Sequence, residues 1–162
     1  MAEAEFFGRD LALGFVADEE GRVAAGPHSH VDLQESFRED VSPRTVDLRV
    51  VGGKANLVQS LIMRLKTERG ELAALGHPDY GSRHHALVGE LNTEANRNLV
   101  KLYVLECLRQ EPRLEAVVKI EVKPGEGRQN RDKVDVAVTV RMKGVPDTLN
   151  LVVPFSFQGP LS

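Results

Sequence analysis

The chain carries LEAVVKIEVK at residues 114–123, KVDVAVTVRM at residues 133–142 and TLNLVVPF at residues 148–155. Apolar and polar residues alternate along each stretch, which is the pattern of a β-strand with one buried face. The residues expected on that face are Leu114, Ala116, Val118, Ile120 and Val122, then Val134, Val136, Val138, Val140 and Met142, then Leu149, Leu151, Val153 and Phe155. Because the connections are short or rich in glycine and proline, we predict an antiparallel meander.

Two main helices are expected to cover the buried face of this sheet. The first has an apolar stripe formed by Leu57, Val58, Leu61, Ile62 and Leu65. We expect it to begin near Ala55 and to stop at Gly70, where a left-handed residue can satisfy the last carbonyls. A second helix fits residues 94–110, because Asn92 or Thr93 can cap its start and Pro112 cannot continue it.

These elements predict an α+β fold. The two main helices pack on an antiparallel or mixed sheet in a small two-layer domain, and a short additional helix is expected over residues 86–91.

The N-terminal part of the chain differs in texture from the rest. Short strands are expected at residues 10–15 and 45–50, and the polar segment between them, residues 26–43, has few apolar anchors. We therefore predict an N-terminal arm with short strands over residues 1–50 and an α+β core over residues 51–162.

Length and composition restrict the class of protein. At 162 residues the chain is long enough for one domain with a core. Its 21 Lys and Arg against 24 Asp and Glu provide no overall field for nucleic acid or anionic lipid. The absence of Trp and an aromatic content of 5% argue against a base-stacking platform or a sugar cleft.

Localisation is predicted from what the sequence lacks. No apolar run approaches the ~20 residues of a membrane span, and the acidic start has no signal-peptide features. The single cysteine, Cys107, excludes an intrachain disulfide and suits a reducing compartment. A soluble protein of the cytoplasm is expected.

Histidines and the cysteine are the first candidates for chemistry. His28 and His30, His84 and His85, and His77 lack the three or four convergent ligands that zinc requires, so we expect loop or surface histidines, no metal and no cofactor. Cys107 lies in an apolar helix with no histidine nearby in sequence, and is expected to be an inert core residue.

Carboxylates are the second candidates, because glycan hydrolysis requires a pair of them about 5 to 9 Å apart. Glu68, Glu71, Asp79 and Glu90 lie around one loop and could supply such a pair. No aromatic shelf for sugar rings accompanies them. We therefore expect no catalytic residue, and a small muramidase-like peptidoglycan hydrolase remains as the alternative.

A set of scattered residues resembles a known family. The loop residues in the set are Thr67, Gly70, Glu71, Pro78, Tyr80 and Gly81; Asn56, Leu57, Leu61, Arg64 and Leu65 precede them, and Glu111-Pro112-Arg113 follows the second helix. Together they resemble the sheath-initiator family of contractile-tail baseplates, which is found in myophages, tailocins and contractile injection systems. The resemblance spans about residues 55–155.

The resemblance implies a structural role rather than a catalytic one. It implies a small α+β domain integrated into the baseplate wedge, in about six copies around the hub and spike. Glu111, Pro112 and Arg113 are implied to dock on a helical bundle of wedge subunits. The protein would assemble in the cytoplasm and then form part of the phage tail or injection particle. The arm over residues 17–44 matches the family only sparsely and is expected to wrap a neighbouring subunit.

The resemblance also implies that the C-terminal strands accept a strand from the first sheath ring. The residues expected to pair are Leu149, Asn150, Leu151, Val152 and Val153. An open antiparallel edge exposes unpaired N–H and C=O groups, which a partner strand can satisfy. Pro154 cannot donate and is expected to bound the pairing segment. Some relatives carry a lysozyme label, which keeps the hydrolase alternative open, and an unrelated α+β adaptor is the third possibility.

Overall fold

The computed structural model describes residues 7–13, 33–37, 46–127 and 130–158. Four short strands lie in its N-terminal part, namely β1 (Arg9–Leu11), β2 (Glu35–Phe37), β3 (Val46–Leu48) and β4 (Val50–Gly52). β1 pairs with β4 and β2 pairs with β3, both antiparallel. The strand predicted over residues 45–50 is therefore two strands with different partners. Arg49 separates them, because its N–H donates to the Gln34 carbonyl (2.8 Å) and its own carbonyl accepts from the Ala12 N–H (2.7 Å).

The predicted strand at residues 10–15 begins one residue earlier, as β1. Beyond it, Leu13 forms an isolated bridge with Leu33. Most of the predicted arm, including His28 and His30, lies outside the described residues.

The two predicted helices are present as α1 (Gly53–Lys66) and α2 (Glu94–Arg109). α1 does not stop at Gly70 as predicted. Thr67 adopts an extended conformation at its end, and both its N–H (3.0 Å) and its hydroxyl (2.9 Å) donate to the Met63 carbonyl. At the start of α2, the Thr93 hydroxyl accepts from the Asn96 N–H at 3.2 Å, as a cap should.

The short helix predicted over residues 86–91 lies earlier in the chain than expected. A 3-10 helix occupies Arg83–Leu87 instead, and another spans Ala73–Leu75. The earlier position follows from two contacts that hold the segment in place. The His85 ring donates from Nε2 to the Leu65 carbonyl at 2.9 Å, and the Gly89 N–H donates to the Phe157 carbonyl at 2.6 Å.

The C-terminal meander forms an antiparallel sheet of β5 (Leu114–Pro124), β6 (Lys133–Met142) and β7 (Thr148–Ser156), with β6 in the centre. The face predicted for β6 is buried throughout, and in β7 Leu151, Val153 and Phe155 are buried. β5 departs from strict alternation. Its register against β6 shifts between Leu114 and Ala116 and again between Val117 and Lys119.

These bulges turn part of β5 over, because an extra residue moves the following side chains to the other face. Val117 packs against the core, whereas Val118 is 50% exposed and Ala116 is exposed. The prediction that Ala116 and Val118 face the core is therefore wrong.

The core combines α1, α2 and the inner face of the sheet. Its largest fully buried side chains include Phe7, Leu57, Leu61, Ile62, Leu65, Leu108, Met142, Leu151 and Phe157. This arrangement confirms the predicted α+β fold with two main helices and an antiparallel sheet. Phe7, from the N-terminal segment, is 1% exposed within the same cluster as the helices. None of the helices in the described part of the chain is long and apolar enough to cross a bilayer.

Candidate docking site

Glu111 lies at the turn that connects α2 to β5. Its N–H donates to the Leu108 carbonyl (3.1 Å) and its carbonyl accepts from the Leu114 N–H (3.2 Å), so the turn is held on both sides of the following proline. The residue is only 4% exposed. Pro112 is exposed beside it.

Arg113 binds the Glu111 carboxylate with two parallel hydrogen bonds. Its Nε donates to Oε1 at 2.6 Å and its Nη2 donates to Oε2 at 3.1 Å. Arg64 adds a second cation 3.7 Å from Oε2. Burial alone raises the pKa of the Glu111 carboxyl, but the hydrogen bonds and charge of Arg113, with the charge of Arg64, outweigh it and hold the pKa below its ordinary value.

Arg113 also ties the N-terminal segment to the core. Its Nη1 donates to the carbonyl of Phe7 at 3.1 Å, and the side chain of Asn56 donates to the same carbonyl at 2.8 Å. Lys143 closes the other side of the turn, with its Nζ 2.6 Å from the Pro112 carbonyl and its N–H 3.0 Å from the Arg113 carbonyl. The tripeptide is therefore an inward-facing clamp whose exposed member is Pro112.

Arg64, on α1, stacks on the aromatic ring of Tyr80, with the guanidinium carbon 4.5 Å from the ring centroid. Burial raises the pKa of Tyr80 above its ordinary value. Arg64, Tyr80, His77, Pro78 and Gln110 line a surface depression of about 310 Å³ next to Glu111. We call Arg64, Tyr80, Glu111 and Arg113 the docking cluster.

The loop that supplies Tyr80 is held by a close approach of two backbone segments. Glu68 and Ser82 form a parallel bridge, in which the Ser82 N–H donates to the Thr67 carbonyl (2.9 Å) and the Arg69 N–H donates to the Ser82 carbonyl (3.2 Å). Gly81 has φ +97°, and a Cβ there would lie 2.6 Å from the Thr67 oxygen. The loop residues Thr67 and Gly81 therefore set the position of Tyr80.

The acids of this loop contact neighbours on the chain. Glu71 accepts from the Glu68 N–H at 3.0 Å, just after the turn in which Gly70 has φ +93°. Asp79 pairs with Arg69 at 2.6 Å. Glu71 and Asp79 thus stabilise turns, and Glu90 is exposed outside them.

His84, His85 and Cys107 lie beside this loop, and the side chains of His84 and Cys107 are buried. The His84 ring lies 2.7 Å from the Ser82 hydroxyl and edge-on to Phe155, and burial with the nearby His85 lowers its pKa to about 3. Burial raises the pKa of the Cys107 thiol to about 11. No cluster of three or more potential metal ligands occurs among the residues that the structure describes.

The residues predicted to pair with a sheath strand lie on β7, at an edge of the sheet. Beyond its end, the Phe157 N–H donates to the Asp132 carbonyl at 2.8 Å, which continues the β6–β7 register. Backbone groups alternate in direction along a strand. The odd-numbered residues of β7 therefore bond to β6, and the even-numbered residues direct their backbone groups to the outer edge.

Of the five predicted pairing residues, only Asn150 and Val152 present an N–H to that edge. Leu151 and Val153 are buried in the core, and Leu149 packs against it. No strand pairs with the outer side of β7 within the described ranges.

Three residues that complete this region have no role that local sequence predicts. Arg64 and Asn56 are members of the family pattern, and Lys143 lies outside it. Nothing in local sequence could connect α1 to the turn at Glu111, because the contacts depend on how the helices pack. The resemblance pattern was the one available signal.

Comparison with known proteins agrees with the family resemblance and with the α+β fold. The sequence model of the family described as baseplate wedge protein gp25 matches residues 51–146. A crystal structure of a candidate tail lysozyme from Geobacter sulfurreducens is similar, with a TM-score of 0.57 and 24% sequence identity, over 67% of this chain and 94% of that chain. At this identity the likeness supports the fold alone. No curated protein matches the chain.

Proposed function

Since the chain belongs to the family of baseplate wedge protein gp25, which is generally structural and part of the phage tail baseplate, we propose that it joins the wedge to the first sheath ring of a contractile tail or injection system. In this role it starts sheath assembly and turns over no substrate. The observation that carries the proposal is the family match over residues 51–146, which takes in both helices, the loop between them and two strands of the sheet. The other partners proposed are wedge subunits, together with hub or spike proteins, in a ring of about six copies.

Strand addition at β7 is the proposed contact with the sheath. Its support is the outer edge of that strand, where Asn150 and Val152 direct N–H groups away from β6. A partner strand would satisfy these groups as a neighbouring strand does within a sheet. Pro154, which has no N–H, limits the donors to the segment before it.

Removing residues 149–162 is not a usable test of this contact. The segment contains Leu151, Val153, Phe155 and Phe157, which are all buried in the core. Its loss would unfold the domain and abolish binding for an unrelated reason.

Substitution of Asn150 provides a sharper test. Asn150→Pro removes one outward N–H and leaves the ladder to β6 in place. Asn150→Ala is the matched control, since it removes the same side-chain hydrogen bond with Thr139 and keeps the N–H. Capture of the cognate sheath protein should fall at least about tenfold with proline and stay near wild type with alanine. Equal capture by both folded variants would move the sheath contact away from β7.

The wedge contact is proposed to lie at the docking cluster. Its support is the exposed Pro112, backed by the clamp of Glu111 and Arg113, next to a depression lined by loop residues Pro78 and Tyr80. Thr67, Gly70, Glu71 and Gly81 shape that loop. We also propose residues 51–162 as the core that carries both contacts, and residues 1–50 as an arm whose first described segment packs on it.

A peptidoglycan hydrolase is the second candidate, favoured by the name of the Geobacter protein. Against it, the Glu71 carboxylate accepts a hydrogen bond from the Glu68 backbone in a turn. Muramidase assays of the purified chain should give no activity above that of a Glu71→Gln variant. Turnover that disappears in this variant would establish the enzyme instead.

A further inference from the structure

Arg64 differs from the other arginine of the docking cluster in how its guanidinium is used. The guanidinium of Arg113 donates three hydrogen bonds, two to Glu111 and one to the Phe7 carbonyl. Within the described part of the chain, the guanidinium of Arg64 donates none. The nearest carboxylate oxygen is 3.7 Å away, which is longer than a hydrogen bond, and its Nε is buried without an acceptor.

This arrangement is costly for the isolated protein. The side chain of Arg64 is 13% exposed, so most of its hydration has been removed. Two guanidinium groups share one carboxylate, which leaves an excess positive charge in a half-buried place. A buried or partly buried cation normally has a hydrogen-bonded counter-ion.

The residues around Arg64 orient its guanidinium at a surface depression. The ring of Tyr80 packs on one face of the guanidinium, and the Glu111 carboxylate lies 3.7 Å from its Nη2. The group lines the depression of about 310 Å³, together with His77, Pro78 and Gln110. The opening is large enough for one side chain and lies beside the exposed Pro112.

We propose that Arg64 is an acceptor site for the carboxylate of an Asp or Glu side chain on a partner protein. A guanidinium presents a planar fork of donors that matches a carboxylate with two hydrogen bonds. The chain as a whole has a charge of -3, which disfavours a longer polyanion. A single carboxylate therefore fits better than nucleic acid. In this arrangement Glu111 and Arg113 position Arg64, and Arg64 makes the contact.

The first test needs no partner. The full chain with labelled arginine side chains is titrated with sodium acetate, against sodium chloride at equal ionic strength, and the Nε–H signals are followed by NMR. The Arg64 signal should shift and saturate with acetate only. Arg113 and Arg83, already bonded to Glu111 and Glu106, serve as internal controls and should not respond. An Arg64 signal that moves no more than that of Arg83, at acetate concentrations approaching molar, would overturn the proposal.

The second test rests on the proposed function, because it uses the cognate wedge subunits. Arg64→Gln should reduce their capture at least about tenfold. Arg64→Lys, which keeps the charge and loses the fork, should give an intermediate loss, and Arg83→Gln should give none. Sheath capture is measured in parallel to show that each variant is folded. Equal wedge capture by wild type and Arg64→Gln would refute the carboxylate site and leave the proposed function standing. Failure of the wild type to capture any wedge subunit would count against the proposed function, while the acetate titration would still decide the role of Arg64.

Discussion

At the scale of single residues, Gly81 shows how one position can determine the conformation of a whole loop. It follows Tyr80 and precedes the bridge between Ser82 and Glu68, where the two backbones come so close that a side chain has no room. Tyr80 in turn supports Arg64. A backbone constraint thus determines where an aromatic ring of the docking cluster lies.

Gly81→Ala should destabilise the protein more than Gly70→Ala. Both glycines have a positive φ and share the strain of about 1 to 2 kcal/mol that an L-residue pays there. At Gly81 the new methyl also lies 2.6 Å from the Thr67 oxygen, whereas nothing lies within 4 Å at Gly70. The clash should add about 1 to 3 kcal/mol. Urea unfolding of the two variants measures the difference, and equal midpoints would mean that the loop can move apart.

His84 should make stability depend on pH. Its pKa is about 3 in the folded protein, because burial disfavours the charged ring, against an ordinary value of 6.5. Between these values the unfolded chain binds a proton that the folded chain does not. The contribution of His84 to the free energy of unfolding is therefore fully present above pH 6.5 and is lost as the pH falls.

The expected loss from this histidine is about 2 kcal/mol between pH 6.5 and pH 5. His84→Gln should be less stable at neutral pH but flatter over this interval, and His77→Gln, at an exposed position, should follow wild type. Unfolding free energies at several pH values provide the check. A His84→Gln curve parallel to wild type would show that His84 is protonated in the folded state.

At the scale of elements, β5 is the strand that departs from the predicted alternation. β6 and β7 keep the predicted alternation, and they pair with each other without a register shift. In β5 two bulges break the alternation, and residues 117 and 118 are both valine, so the sequence does not mark which one turns inward. The hydrophobic pattern alone cannot locate an extra residue when neighbouring positions are equally apolar.

A pair of matched substitutions tests the reassigned face. Threonine keeps the branched shape of valine and adds a hydroxyl, which is costly only where it is buried without a partner. Val118→Thr should change the unfolding free energy by less than about 0.5 kcal/mol, and Val138→Thr should cost about 1 to 3 kcal/mol. Thermal and urea unfolding would distinguish them. A large loss of unfolding free energy in Val118→Thr would mean that Val118 faces the core, as strict alternation in β5 predicts.

At the scale of the whole molecule, the carbonyl of Phe7 links the N-terminal segment to two separate parts of the core. The Phe7 oxygen accepts from Asn56 on α1 and from Arg113 at the start of β5, while the Phe7 ring lies in the core. β1 then pairs with β4 directly before α1. The N-terminal segment therefore contacts the docking cluster through Arg113, although the two lie far apart in sequence.

Phe7→Ala should destabilise the whole domain by about 3 to 5 kcal/mol, because a fully buried aromatic ring leaves a cavity. Leu11→Ala, in the same segment but 39% exposed, should cost much less. Unfolding should remain a single transition in both variants. If Phe7→Ala is as stable as wild type, the N-terminal segment does not belong to the cooperative unit.

The sequence by itself determined the elements with strong periodicity and clear ends. The stripe of α1, the cap of α2 at Thr93 and the alternation of β6 and β7 are local properties, because each depends on spacing within one segment. The family pattern also indicated the turn at Glu111 and the loop at Tyr80. Only the tertiary structure decided what these residues contact. Glu111 is buried rather than displayed, Arg64 faces a depression, and alternate residues of β7 face outward, because burial and register arise from how distant segments pack together.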